Sequence, residues 1–143
     1  MTAAGASSQQ STLDELVGGA VIRRIVELGY IAAYQGFSKE SQIICDAVGV
    51  LRPESAAPYV GQAMAVMKQG DLPEAIRILR FKALPLEPEN LAIKAMMCLY
   101  MALAGQFSEA QKELRGTVTD ENADQPGADL ARTVLDMVSK NGG

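Results

Sequence analysis

The side chains that could do chemistry in this chain are few, and their absences say more than their presence. There is no histidine among 143 residues. That removes the usual general base, the Ser-His and Cys-His nucleophile pairs and most zinc sites together. Cys45 and Cys98 stand far apart and form no close-spaced metal or redox motif. Both lie in apolar stretches with helical spacing, so they read as buried free thiols, in keeping with a reducing compartment. Carboxylate or lysine chemistry would need a constellation that the chain does not offer, and no GxxxxGK[ST] phosphate loop occurs. The sequence therefore predicts a protein that is not an enzyme, with no metal and no cofactor.

Nucleic-acid binding is disfavoured as well. The net charge is -4, and the thirteen basic residues are scattered. A nucleic-acid binder needs a basic footprint, whereas the densest group here, Arg77, Arg80 and Lys82, reads as a solvated helix face. What remains is recognition through apolar surface. Leu91–Ala104, LAIKAMMCLYMALA, has thirteen apolar residues in fourteen, broken only by Lys94. As a helix it spans roughly 21 Å, too short to cross a bilayer. A helix apolar on all sides must be covered on nearly all sides. The elements around it have to supply that cover.

The pattern along the chain predicts helices throughout and no strands. MTAAGASSQQ has neither the basic region nor the apolar core of a signal peptide, so residues 1–11 read as a disordered tail of a cytoplasmic protein. Thr12 to Glu15 forms a capping box, opening a helix that is weakened at Gly18-Gly19 and runs to about Tyr34. It carries Leu13, Leu16, Val17, Val21, Ile25 and Leu28 at mixed spacings of three and four. Gly36 stops it. A second helix, from Ser38 to about Leu51, turns Ile43, Ile44, Ala47, Val48 and Leu51 inward and closes before Pro53. Ser55 caps a third, which draws on Tyr59, Val60, Ala63, Met64, Val66 and Met67 and ends at Gly70. Asp71-Leu72-Pro73-Glu74 opens a fourth, carrying Ala75, Ile76, Ile78, Leu79 and Phe81. The apolar helix follows, then one from Ser108 to about Val118. The last, Ala128 to Ser139, places Leu130, Val134, Leu135 and Val138 on one face.

These elements repeat. Gly70-Asp71-Leu72-Pro73-Glu74-Ala75 returns thirty-five residues later as Gly105-Gln106-Phe107-Ser108-Glu109-Ala110. A weaker copy, Gly36-Phe37-Ser38-Lys39-Glu40-Ser41, lies thirty-four residues earlier. Such periods mark stacked helix pairs.

This pattern resembles the tetratricopeptide repeat (TPR). That family's succession of small residue, bulky residue, glycine, aromatic or Leu, and Ala is met by Ala63, Val66, Gly70, Leu72 and Ala75. It is met again by Cys98, Met101, Gly105, Phe107 and Ala110. In the first repeat Gly29, Ala32, Gly36, Ser41 and Pro53 fit, but Phe37 falls one place early, and Pro88 of the second falls one place late. The resemblance implies an all-α, TPR-like superhelix of about three helix pairs (21–53, 56–88 and 91–118) with a capping helix at 128–139, in one domain over 12–140. Leu16 to Gly19, Asp46 to Pro53 and Met67 to Arg80 look most like the small Hrp-type TPR proteins of bacterial type III secretion. Chaperones that hold needle or translocator subunits are similar in size and repeat number.

The same resemblance locates a partner surface. Carrying the family's concave positions across gives Val26, Tyr30 and Tyr34, then Val60, Met64, Met67 and Lys68, then Ala95, Leu99 and Leu103, with Arg23, Ala33, Ala57, Ala92 and Ala102 beside them. Only Arg23 and Lys68 are charged, so the surface suits an amphipathic helix of a secreted subunit better than a charged peptide tail. The implied function is a secretion chaperone or adaptor. The alternatives are an Hrp-type assembly component acting by self-association, homodimerisation included, and a TPR adaptor outside secretion. The final helix is the competing occupant, since a solenoid needs a cap.

Overall fold

Three turns of one design set the course of the chain. The computed structural model describes residues 18–142; the expected tail and the capping box at Thr12–Glu15 lie outside the described residues. Helix α1 (Gly19–Tyr34) ends at Gly36, α3 (Ala57–Lys68) at Gly70 and α5 (Leu91–Leu103) at Gly105. The three glycines have φ of 88°, 92° and 83°. In each turn the glycine amide donates to the carbonyl three residues back, and the next amide reaches five back: Gly36 to Ala33 and Phe37 to Ala32, Gly70 to Met67 and Asp71 to Val66, Gly105 to Ala102 and Gln106 to Met101. This closes the carbonyls left over at a helix end, in a left-handed conformation that a Cβ disfavours. The sequence repeat is thus a repeat of turn geometry.

Each turn leads into a second helix: α2 (Ser38–Leu51), α4 (Leu72–Ile78) and α6 (Phe107–Leu114). Helix α4 runs on into a π-helical segment, Leu79–Ala83, and α7 (Ala128–Gly142) closes the chain. The described residues form seven α-helices and no strand. Two helix starts follow the sequence signals closely. Asp71 Oδ1 accepts from the Glu74 amide at 3.1 Å, and Asn90 Oδ1 from the Ile93 amide at 3.2 Å, each meeting one of the orphan donors of a first turn.

Consecutive helices pack on one another, α1 also packs on α3, and α7 packs on both α5 and α6. Small residues sit where the helices meet. Gly29, Ala63 and Cys98 on the first helices and Ser41, Ala75 and Ala110 on the second are all buried. Ser41 Oγ donates to the Gly29 carbonyl at 3.0 Å, tying α2 to α1. The core runs from Val60 and Ala63 through Leu79, Met97, Cys98 and Met101 to Leu114, Val134 and Val138.

Several expected inward faces are displaced. In α1 the buried residues are Ile22, Gly29 and Ala33, while Val21 and Leu28 are more than half exposed. In α2 they are Ser41, Cys45 and Val48, and Ile43 and Ala47 face out. Both helices are apolar on more than one side, so apolar spacing alone does not select a face. Close approach does: a Cβ on Gly29 would lie 3.0 Å from Ile44 Cγ2. Phe81 is exposed because it follows Leu79 by two, which puts it across the helix from the core. Leu130 is likewise outside, with Ala128 and Ala131 taking the inner positions of α7. Helix α6 stops at Leu114, short of Val118, and the chain turns at Gly116, φ 73°.

Candidate interaction cleft

Between α3 and α5 the packing is sparser than between α1 and α3, and a cleft of about 630 Å³ opens beside them. Helix α1 supplies Gly19, Ile22, Arg23, Val26 and Tyr30, and α3 supplies Ala57 and Val60. Ile93 comes from α5, with Leu86, Glu87 and Asn90 from the loop before it; Arg52, Glu54 and Ser55 come from the loop after α2. The volume lies in the range of ordinary ligand pockets, with an apolar floor and charged groups at the sides.

Glu87 builds this cleft. One carboxylate oxygen accepts from the Ala56 amide at 2.7 Å, at the start of α3, and the other from Asn90 Nδ2 at 3.0 Å. Asn90 in turn caps α5. A single chain of hydrogen bonds therefore fixes the start of α3 relative to the start of α5. Ser55, expected to cap α3, lies one residue before the N-cap Ala56, which has no side-chain cap; the Ser55 Oγ accepts from the Ala57 amide at 3.1 Å. Tyr30 lies behind, half-buried, its phenol pushed far above the usual range by burial, with Cys45 and the Glu87 carboxylate adding to the effect. It stays neutral at any ordinary pH.

Of the residues expected to face a partner, Val26, Tyr30 and Val60 share this cleft, and Arg23 and Ala57 join them. Val60 is only 4% exposed and so forms its floor. Met64, Met67 and Leu99 are half-buried and pack against the core. Lys68 and Tyr34 are exposed and meet each other, with the ammonium 5.0 Å from the ring centroid, across the far ends of α3 and α1. Leu103 is exposed at the end of α5. Ala95 is fully buried and Ala102 nearly so, and a Cβ on Gly127 would strike the backbone of Ala92 at 2.4 Å. The chain's own C-terminal segment thus lies against α5, and the open part of the expected wall is the part beside α1 and α3.

Ile22, Arg52, Glu54, Glu87, Asn90 and Ile93 are lining residues that the sequence reading did not single out. Asn90 carried a usable signal, as a helix-capping residue directly before an apolar run. Glu87 carried none, because its partner Ala56 is thirty-one residues away.

Nothing here activates a nucleophile. Cys98 is fully buried and its thiol is pushed up to about 12, by burial first and by Glu113 next, against Lys94 and Arg80. Burial also raises the Cys45 thiol, with Ser41 opposing and Asp46 adding. Among the described residues no three His, Cys, Asp or Glu side chains gather as a metal site, and no helix is long and apolar enough to cross a membrane.

Comparison with curated proteins yields no match. Comparison with protein families matches residues 15–137 to the family described as bacterial type III secretion protein (HrpB1_HrpK). That span takes in all three turns, the cleft and most of α7, and the chain belongs to this type III secretion family.

Proposed function

We propose that this protein is a TPR-like, protein-binding component of type III secretion that receives an amphipathic helix of another subunit in the cleft between α1, α3 and the start of α5. Three features support this: the repeated Gly turns, the buried small residues at equivalent places in each helix pair, and the family. The observation that carries it is the cleft itself, an apolar floor of Ile22, Val26, Val60 and Ile93 flanked by arginines and carboxylates. An amphipathic helix presents apolar anchors at spacings of three and four with charges beside them, and so matches such a lining. The occupied stretch is shorter than a groove crossing three helix pairs, since the C-terminal segment lies against α5. Co-expression with the subunits encoded beside it tests the proposal. One of them co-purifies with the native chain and is lost with Val26→Glu, while the variant keeps its thermal midpoint within a few degrees. Binding that survives Val26→Glu, or no binding at all, overturns the reading.

A second reading, an assembly component acting by self-association, rests on a different surface. Val21, Leu28 and Ile31 on α1 and Ile43 and Val50 on α2 are 52–72% exposed. Apolar side chains gathered on one pair of helices mark an interaction surface more often than isolated ones do.

A further inference from the structure

The repeat carries a register, and the register shows what the first helix pair lacks. Gly29, Ala63 and Cys98 hold equivalent places, thirty-four and thirty-five residues apart. On the same spacing Arg24, Leu28 and Ile31 of α1 answer to Pro58, Gln62 and Ala65 of α3, and to Ile93, Met97 and Tyr100 of α5. In α3 that face meets the preceding pair: Pro58 and Gln62 line a small cleft with Asp46, Gly49 and Val50 of α2, and a Cβ on Gly49 would lie 3.8 Å from Pro58 Cγ. In α5 the face is closed. Ile93, Met97 and Tyr100 are buried, and the helix packs on α4 and the π-helical segment before it. In α1, which no helix pair precedes among the described residues, Leu28 and Ile31 are 58% and 54% exposed, with Val21 beside them at 52%. At 3.6 residues per turn Arg24 falls within this stripe and Glu27 at its edge. Both are exposed and make no ion pair among the described residues.

We infer that this face of α1 joins two copies of the chain about a twofold axis, α1 antiparallel to α1, in a closed dimer. The inference rests on the self-association reading above and deepens it by fixing which face meets which. A second copy is the occupant that answers the charge. An arginine within an apolar stripe is costly to cover unless a carboxylate meets it. Crossing the two helices at the level of Val26 sets Val21 opposite Ile31 of the second copy and brings Arg24 to its Glu27, twice over by symmetry. A head-to-tail stack of copies is closed off, because the opposite face of the third pair is already taken by α7, which packs on α5 and α6. Isologous pairing therefore stops at two chains. Ile43 has no share in it: its equivalents Arg77 and Lys112 are exposed as well, on an outer face that each helix pair leaves to solvent.

Sedimentation equilibrium of the full-length chain tests it. The native mass rises with concentration from 15.2 kDa to twice that value and no further. Leu28→Glu holds the protein at one chain, and Ile43→Glu leaves the dimer intact. Arg24→Glu and Glu27→Arg, each alone, weaken association by about tenfold or more. An equimolar mixture of those two variants recovers it, since each then offers the other the opposite sign at both contacts. Recovery requires both variants to be folded, so misfolding cannot imitate it. A native chain that is monomeric throughout overturns this inference and the self-association reading together. A mass that climbs past two chains, loss of the dimer with Ile43→Glu, its survival in Leu28→Glu, or a mixture no tighter than its components overturns the twofold α1 contact alone and leaves self-association to another face. Capture at the cleft, read by Val26→Glu, is independent of all of these.

Discussion

Gly61 is the tightest point between helix pairs, and it shows how single residues set the spacing of the whole. A Cβ there would lie 2.5 Å from Cys45 Sγ, so α3 meets α2 at a distance only glycine allows. Gly61→Ala is expected to lower stability by about 1–3 kcal/mol, the usual range for overpacking a tight core. Cys45→Ala removes the obstructing sulfur, so the double variant should recover part of the loss. A double-mutant cycle from urea unfolding reads that coupling directly, and strictly additive effects would show that the contact is not what makes Gly61 necessary. The thiols give a second expectation. Cys98 is raised from an ordinary 9.0 to about 12, and Cys45, Tyr30 and Tyr100 are also raised by burial. The folded chain therefore holds these protons more tightly than the unfolded chain does. Stability from this source is intact below pH 9 and is lost as pH rises from about 9 toward 12. Thermal midpoints across that window should fall more gently in Cys98→Ala than in the native chain; parallel curves would mean that Cys98 is not a source of the loss.

Helix α7 makes the case at the scale of the element. Its inner face is Ala128, Ala131, Val134 and Val138, all buried, and it packs on α5 and α6. Its outer face is charged, with Arg132 and Asp129 paired at 2.7 Å and Lys140 and Asp136 at 3.0 Å. Without it the most apolar helix of the chain would lose one of its covers. Val134→Asp places a carboxylate in that seam at a cost of several kcal/mol, and it should cost more stability than a carboxylate at exposed Leu130. Equal midpoints for the two variants would mean that the seam is not closed. Most of this was readable beforehand, since the turns announce themselves through Gly and through the residues after it, and Asp71 and Asn90 stand where caps stand. The faces of α1 and α2 were not readable in the same way. With Val21, Ile22, Ile25, Val26 and Leu28 in succession, apolar spacing allows several inward stripes, and the choice among them is made by Gly29 and Ala33 meeting another helix. The cleft was legible on the α1 and α3 side, through Val26, Tyr30 and Val60. Its other wall depends on Glu87 reaching Ala56, a contact between distant residues that no local pattern encodes.

At the scale of the molecule the two ends of the chain differ. Toward the C-terminal end α7 is apolar inside and ion-paired outside. At the other end α1 and α2 leave Val21, Leu28, Ile31, Ile43 and Val50 exposed, on a chain whose net charge is only -4. This surface and the cleft use different residues, so each can be disabled without the other. If the exposed faces join copies of the chain, sedimentation shows a mass that rises with concentration, and Leu28→Glu with Ile43→Glu returns it to the monomer. Because burying a Leu or Ile contributes about 1.5–3 kcal/mol, two such changes in each copy outweigh a typical weak association. Val26→Glu, within the cleft, leaves that mass unchanged and abolishes capture of a secretion subunit; the Leu28 and Ile43 double variant does the reverse. A native chain that stays monomeric at every concentration removes self-association and leaves these apolar side chains to a different partner. A single variant that abolishes both behaviours while the fold is retained would mean that α1 presents one continuous interface, and that assembly and capture are one event.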